Sequence, residues 1–151
     1  MSDCLSCLSN NGKKRISPAA TIYEGKYRLV EHVNPTGLLG WVVIVLKRHS
    51  EKLHELARDE WHELSELNFR LTRALHNILQ SEKEYSCCFA EMEGFRHIHF
   101  HVIPKTGKFN KENTGSKVFN YLRVPESEAL SKEEIIDFCK LLSKEMNTKW
   151  E

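Results

Sequence analysis

Apolar side chains recur along the chain with two spacings, one typical of strands and one typical of helices. A stripe of apolar residues three or four apart, from Trp61 to Leu79, predicts a long helix over 59–80. Ser131 with Glu134 is a capping-box pattern that opens a final helix. Strands are predicted at 18–24, 26–33, 40–47, 85–92 and 96–103, with 121–124 as a weaker candidate for a last short strand. Because strands outnumber helices and only one long helix interrupts them, the pattern favours a mostly antiparallel α+β fold.

Composition and charge are those of one ordinary globular domain, which we expect to span 1–151. Of the 151 residues, 40% are hydrophobic and 28% are charged. Lys and Arg number 22 against 21 Asp and Glu, and a net charge of +1 gives no reason to expect a nucleic acid or an anionic membrane as partner. The longest apolar run, 41–46, is far shorter than the roughly 20 residues that span a bilayer. No signal peptide is visible, so we expect a cytoplasmic protein.

The five cysteines make an odd count, which argues against a disulfide framework in a chain without an export signal. Cys87 and Cys88 lie in a predicted strand and Cys139 in the final helix, where free thiols are commonly core residues. Cys4 and Cys7 have the C-x-x-C spacing of one half of a tetrahedral zinc site. The spacing alone leaves two interpretations open, a zinc site and a plain pair of thiols.

Three histidines in strict alternation with large apolar residues, His97, His99 and His101, point most directly to chemistry. Alternate side chains of a strand share one face, so we expect the three rings to project together. Successive Cα atoms of the three would lie ~6.5 Å apart and the outer two ~13 Å apart. That spread is difficult to reconcile with a single zinc ion, whose bonds to nitrogen are about 2 Å long. The rings should therefore serve different atoms; a His-rich polar face on a surface strand is the alternative interpretation.

The pattern His-h-His-h-His-h-h, where h is apolar, resembles the signature of the histidine triad (HIT) superfamily, and the chain matches it at every position. The segments 4–7, 18–24 and 40–49 resemble the Cys-x-x-Cys, the first strand and the Gly-His-h-h-h-h-Pro-Lys-Arg-His strand of the zinc-containing, bacterial-type members. The similarity covers 4–104, and 105–151 would form a loop and a C-terminal helix. The resemblance implies a mostly antiparallel five-stranded sheet with one long helix and a C-terminal helix, assembled as a two-fold homodimer.

For function, the resemblance implies nucleotidyl transfer or hydrolysis at the α-phosphate of dinucleoside polyphosphates or nucleoside phosphoramidates, with adenine nucleotides as the expected class. The middle histidine of the family attacks phosphorus and maps onto His99, whose other ring nitrogen we expect a backbone carbonyl to hold as N–H. His101 would hydrogen-bond the phosphate and the leaving group. Neutral imidazole has a free lone pair at physiological pH, which suits a nucleophile.

The resemblance also implies a complete set of metal ligands. The family pairs its Cys-x-x-Cys, here Cys4 and Cys7, with the histidine that ends the Lys-Arg-His segment, here His49, and with the first histidine of the triad, here His97. Such a Zn²⁺ ion would be structural, because all four positions are filled and none remains for water.

Four features bear on nucleotide recognition and on departures from the family pattern. Trp41 stands where many members have a histidine that buttresses the nucleophile; it either fills the core, which is the preferred interpretation, or stacks on a base. If Pro35 is aligned with the family's proline, His32 falls where an acidic or amide residue grips the ribose. Arg96 either meets a phosphate or is an exposed arginine at a strand start. The Lys-rich segment 105–117 is either a flap over the phosphates or solvated surface.

Three functional interpretations remain open. The first is an enzyme that cleaves adenylated compounds through His99. The second is a nucleotide-binding module with little catalytic activity, which the missing buttressing histidine would allow. The third is a zinc-stabilised interaction domain. The intact triad favours the first interpretation over the third, because a purely structural role needs no more than His97.

Overall fold

Five antiparallel strands and three α-helices build residues 3–148, the part of the chain that the computed structural model describes. The strands are β1 (Tyr23–Glu24), β2 (Arg28–His32), β3 (Val42–Leu46), β4 (Lys83–Cys87) and β5 (His99–Lys105), and the helices are α1 (Leu5–Asn10), α2 (Arg58–Leu79) and α3 (Lys132–Met146). The order in the sheet is β1-β2-β3-β5-β4, and each neighbouring pair is antiparallel. The predicted antiparallel α+β fold is therefore confirmed. Within 3–148 no helix is long and apolar enough to cross a bilayer.

The helices α2 and α3 cover one face of the sheet. Leu67, Leu71 and Leu75 of α2 are at most 1% exposed and belong to the same core cluster as Ile44 of β3 and Val102 of β5. The apolar stripe predicted for this helix is thus its inner face, except for Trp61 at its start, which is 38% exposed. Because Ile44 and Val102 point towards the helices, their neighbours along each strand point to the opposite face of the sheet.

The C-terminal part of the chain confirms one prediction and corrects another. The hydroxyl of Ser131 accepts from the amide of Glu134, and the carboxylate of Glu134 accepts from the amide of Ser131, which is the predicted capping box of α3. The short strand considered at 121–124 is wrong, since a 3₁₀-helix, Gly115–Leu122, includes the first two of these residues and the other two lie outside any strand. Its apolar side chains pack together on Trp41 instead of joining the sheet.

The connection between β4 and β5 is longer than predicted. β4 ends at Cys87, before its predicted end at 92, and β5 begins only at His99, after its predicted start at 96. Ala90 and Gly94 in this connection have φ angles of 52° and 85°, a left-handed backbone that cannot continue a strand. The chain therefore leaves the sheet here as a loop.

An ion pair ties the end of β3 to the start of α2. Arg48 donates hydrogen bonds of 2.9 and 2.8 Å to the buried carboxylate of Glu60, which also accepts from the Ala57 amide at 2.8 Å. The hydrogen bond from Arg48 is the largest of the influences that hold the pKa of Glu60 below its usual range. The pair secures the position of Arg48 beside the helix, and with it the neighbouring His49.

Candidate active site and metal centre

A cavity of about 710 Å³ lies on the sheet face opposite α2 and α3. Val43 and Val45 of β3 line it together with His99 and His101 of β5. Val43 stands opposite His101 in the sheet and Val45 opposite His99, so the four side chains share one face of the pleat. Further walls come from α1, from the loop 89–95 and from the segment 116–123. The volume falls within the range of small-molecule sites, about 300–1,000 Å³.

His99 lines this cavity with one ring nitrogen engaged by the backbone. Its Nδ1 lies 2.8 Å from the carbonyl oxygen of His97. Because a carbonyl only accepts, Nδ1 carries the proton and Nε2 keeps its lone pair. Burial lowers the pKa of His99, and this effect outweighs the opposing influence of the bond to the carbonyl. The ring is therefore neutral at physiological pH and has the unprotonated nitrogen that a nucleophile requires. The backbone carbonyl expected from the sequence is present.

His101 is held by Trp41. The indole Nε1–H donates to Nδ1 of His101 at 3.0 Å, and the indole is fully buried. Trp41 is thus a core residue, as preferred, and it lies outside the cavity wall, which corrects the predicted contact between this residue and the nucleotide. Burial lowers the pKa of His101 to about 3, and the neighbouring His99 acts in the same direction. His101 is a neutral ring on the cavity wall.

His97 does not join the other two histidines at the cavity. It is fully buried at a bend before β5, and its ring lies in a cluster with Cys4, Cys7 and His49. The expectation that all three rings project together is therefore wrong for His97. The physical reason is that the extended backbone, which aligns alternate side chains, begins only at His99.

The geometry of this cluster fits a tetrahedral zinc ion. The four ligand atoms lie within 4.8 Å of one another. Sγ of Cys4 is 3.5 Å from Nδ1 of His97, and Sγ of Cys7 is 3.4 Å from Nδ1 of both His97 and His49. Zinc bonds of about 2.3 Å to sulfur and about 2.0 Å to nitrogen place tetrahedral S and N ligands roughly 3.5 Å apart. The predicted ligand set therefore has the spacing that a four-coordinate zinc ion requires.

Both histidines of the cluster have the tautomer that metal binding through Nδ1 needs. Nε2 of His97 donates to the carbonyl of Leu46 at 2.6 Å, and Nε2 of His49 donates to the carboxylate of Glu51 at 2.9 Å. These acceptors hold the ring protons on Nε2 and leave the lone pairs on Nδ1, beside the cysteines. A backbone carbonyl or a carboxylate is the usual outer partner of a metal-bound histidine.

His32 touches the cavity, but its ring lies against α3. The ring is edge-on to Phe138 with centroids 5.9 Å apart and is 1% exposed. Nδ1 donates to the carbonyl of Val33 at 2.7 Å, and Nε2 accepts from the amide of Gly40 at 3.0 Å. Burial lowers the pKa of His32 to about 4. Because the backbone uses both ring nitrogens, this arrangement argues against the predicted contact between His32 and a ribose.

Glu31, the residue before His32, faces the cavity instead. It pairs with Val43 across the sheet and lies on the same wall. Its carboxylate is 9% exposed and accepts hydrogen bonds from Arg15 at 2.9 and 2.8 Å and from the Thr21 hydroxyl at 2.6 Å. Sequence reasoning missed this acid by one residue, which in a strand is the difference between two faces. Counting alternate residues along β2 identifies Glu31 as the side chain on the cavity face of this strand.

Basic side chains reach the cavity from the C-terminal part of the chain. Arg96, the predicted phosphate contact, is exposed and lies outside the cavity wall. Lys117 and Arg123 are on the wall. Lys117 ends the segment 105–117 that the sequence marked as a flap or as solvated surface, whereas no motif in the sequence marks Arg123. The positive charge beside the histidines thus comes from residues that follow the triad.

Comparison of sequences finds one curated relative of this chain. Over 70 residues the chain is 30% identical to the adenosine 5′-monophosphoramidase hnt1 of Schizosaccharomyces pombe. The match covers 44% of this chain and 49% of the relative, so it spans about half the length of that protein. No protein-family model matches the chain.

Comparison of structures covers nearly the whole chain. A hypothetical histidine triad nucleotide-binding protein from Sulfolobus tokodaii superposes with a TM-score of 0.72 at 17% identity, over 98% of this chain and 100% of the other. A zinc-bound histidine triad family protein from Mycobacterium smegmatis superposes with a TM-score of 0.67 at 20% identity, over 95% and 92% of the two chains. At these identities the similarity concerns the fold.

The burial of His32 predicts an acid-sensitive contribution to stability. Its pKa is about 4 in the folded chain and about 6.5 in an unfolded one, so the unfolded state binds more protons within that window. The contribution is complete above pH 6.5 and is lost as the pH falls towards 4. Between pH 7 and pH 5 it should lower the free energy of unfolding by about 2 kcal/mol.

Chemical denaturation of His32→Gln at the two pH values measures this contribution, since the variant should lose about 2 kcal/mol less than the wild type. The matched control is His62→Gln, an exposed position on α2, which should keep the wild-type difference. Equal losses in the wild type and His32→Gln would contradict the prediction.

Proposed function

The resemblance to the histidine triad superfamily is confirmed, because the chain has the fold of these proteins. On that premise we propose that the chain is a nucleotide hydrolase or nucleotidyl transferase. It acts at the α-phosphate of dinucleoside polyphosphates or nucleoside phosphoramidates, with adenine nucleotides as the class that the S. pombe relative suggests. The observation that carries the proposal is His99, a neutral ring on the wall of a nucleotide-sized cavity with Nδ1 held by a carbonyl. Residues 1–151 act as one domain, in a two-fold homodimer as the resemblance implies.

The reaction proceeds in two displacements at one phosphorus atom. The lone pair on Nε2 of His99 forms a bond to phosphorus while the bond to the leaving group breaks, and the leaving group takes that electron pair. The proton stays on Nδ1 of His99 throughout, hydrogen-bonded to the carbonyl of His97. Water then forms the new bond to phosphorus, the N–P bond breaks, and a nucleoside monophosphate and one proton are released. His101, with its ring centroid 4.9 Å from that of His99, stabilises charge on the phosphate by hydrogen bonding.

The cavity wall offers a group for each part of a nucleotide. Phe89 and Phe119, edge-on with centroids 5.6 Å apart, provide apolar surface for the base. The carboxylate of Glu31 accepts hydrogen bonds from the ribose hydroxyls. Lys117 and Arg123 supply positive charge for the phosphates. These assignments replace the contacts that the sequence predicted for His32, Arg96 and Trp41.

A structural zinc ion held by Cys4, Cys7, His49 and His97 completes the proposal. Four protein ligands leave no open position, so the ion contributes stability and no reaction step. It would tie α1 and the segment after β3 to His97, two residues before β5. The carbonyl that holds His99 belongs to that same residue, so the metal also secures the nucleophile. The zinc-bound M. smegmatis protein, which has the same fold, supports this assignment.

A nucleotide-binding module with little catalytic activity is the second candidate, and one observation favours it. The side chain bonded to His101 is the indole of Trp41, where the family pattern has a histidine. Binding of base, ribose and phosphate uses groups other than His101, whereas turnover depends on the histidine rings. Measurements of turnover therefore separate the two candidates.

Replacement of His99 tests the enzyme proposal directly. His99→Ala removes the nucleophile, so the release of AMP from diadenosine tetraphosphate and from adenosine 5′-phosphoramidate should fall at least about a thousandfold. Chromatography of the products measures the release. His54→Ala, at an exposed position outside the cavity wall, is the control and should retain the wild-type rate. Equally slow release by wild type and His99→Ala would exclude the enzyme and leave the binding module.

The role of Glu31 is tested with a substrate that lacks the ribose hydroxyls. The wild type should show a KM about tenfold higher for the 2′,3′-dideoxy analogue, because the hydrogen bonds between the ribose hydroxyls and the carboxylate are then lost. Glu31→Gln should reduce that preference. Since the variant also disturbs the bond to Arg15, the readout is the ratio of KM values for the two substrates. His32→Gln, the neighbouring residue on the other face, should keep the wild-type ratio; a loss of preference in that variant alone would refute the assignment.

The metal site is tested by elemental analysis of protein purified without added zinc. The wild type should contain about one zinc ion per chain, and Cys4→Ser much less, together with a lower melting temperature, because one of the four ligands is weakened. Cys87→Ser, a thiol outside the cluster, is the matched control and should retain the metal. A metal-free wild type would refute the site.

A further inference from the structure

Trp41 determines which nitrogen of His101 carries the ring proton. An indole N–H donates and has no lone pair with which to accept. The bond of 3.0 Å to Nδ1 of His101 therefore requires a bare Nδ1, and the proton of the neutral imidazole is on Nε2. Trp41 is fully buried and His101 is 7% exposed, so the bond is shielded from water.

The surroundings of His101 preserve this state. Phe119 lies edge-on to both rings, with its centroid 5.0 Å from that of His101 and 5.3 Å from that of Trp41, and His99 lies edge-on at 4.9 Å. Within residues 3–148 no carboxylate is hydrogen-bonded to His101; Glu31, an acid on the cavity wall, is engaged by Arg15 and Thr21. A second proton on Nδ1 would face the indole N–H, which would leave two donors in contact and no acceptor between them.

We infer that Trp41 is a positioning residue that makes His101 a hydrogen-bond donor and prevents it from acting as a proton donor. This inference rests on the proposed function and names its substrate class. A neutral ring that gave up its Nε2 proton would become an imidazolate, which is a strong base. Among residues 3–148 no cation is hydrogen-bonded to His101 to stabilise such an anion. Substrates that suit the site are therefore adenylated compounds whose leaving group departs as a stable oxyanion, such as phosphate or polyphosphate. Compounds whose leaving group is an amine suit the site poorly.

The balance of electrons and protons explains the distinction. When the bond from His99 to phosphorus forms, the bond to the bridging atom breaks and that atom takes the electron pair. A polyphosphate oxygen holds the pair as an anion, and the Nε2–H of His101 hydrogen-bonds to it. A phosphoramidate nitrogen has to gain a proton to leave as an amine, and in this site the proton comes from water. Amine release is slow for that reason.

Two substrates that differ only in the bridging atom test the inference, the 4-nitrophenyl ester of AMP and the corresponding 4-nitroanilide. Trp41→His offers an acceptor nitrogen to Nδ1 of His101, so a proton on both ring nitrogens becomes possible. The ratio of anilide to ester turnover should then rise at least about tenfold over the wild type. Trp41→Phe is the matched control, since it keeps an aromatic ring but offers neither donor nor acceptor. In Trp41→Phe the lost packing should lower the ester and anilide rates together, which leaves their ratio within about threefold of the wild-type ratio.

Nitrogen NMR provides a readout that does not depend on turnover. In the wild type the His101 signals, assigned by comparison with His101→Gln, should show a protonated Nε2 and a bare Nδ1. A proton on Nδ1 overturns the inference, and so does an unchanged ratio in Trp41→His. If His99→Ala cleaves the ester as fast as the wild type, the proposed function fails and the inference fails with it. If His99→Ala is inactive but the ratio is unchanged in Trp41→His, only the role of Trp41 is refuted.

Discussion

His97 joins the two halves of the site through two different parts of one residue. Its ring lies with Cys4, Cys7 and His49, and its carbonyl accepts the hydrogen bond from Nδ1 of His99. The contacts that hold the ring therefore also hold the carbonyl that decides the tautomer of the nucleophile. His97 lies at a bend before β5, and its ring belongs to the metal cluster while the next two rings line the cavity.

The pleat of the sheet distributes the other groups between two environments. On the cavity side, Val43, Val45 and Glu31 lie beside the two rings of the triad that line the cavity. On the helix side, His32 accepts from the amide of Gly40, the residue directly before Trp41. Since Trp41 donates to His101, hydrogen bonds link β2, the turn after it and β5 in one continuous line. The buried polar groups of this line are paired, as burial requires.

The segment that follows β5 completes the cavity. Phe119 contacts the rings of both Trp41 and His101, and Lys117 and Arg123 bring charge to the same wall. Apart from the Lys-rich run that ends at Lys117, no motif marks this part of the chain, yet it contributes a wall of the cavity beside the histidines. The electrostatic character of the cavity therefore depends on a region whose contribution is visible only after folding.

Local patterns in the sequence were sufficient for the main elements and for the central chemistry. The apolar stripe of α2, the capping box of α3 and the alternating histidines are relations between residues a few positions apart, and such relations are written in the order of the chain. They also marked the three histidines of the triad and the pair Cys4 and Cys7, whereas His49 and His97 were expected as metal ligands only from the resemblance to the family.

Only the tertiary structure decided where β5 begins, whether Glu31 or His32 faces the cavity, what Trp41 donates to, and which basic residues reach the wall. Each of these depends on contacts between segments distant in sequence, or on a strand boundary where a shift of one residue exchanges two faces. Neither spacing nor composition records such contacts, because burial and hydrogen-bond partners exist only once the segments are packed together.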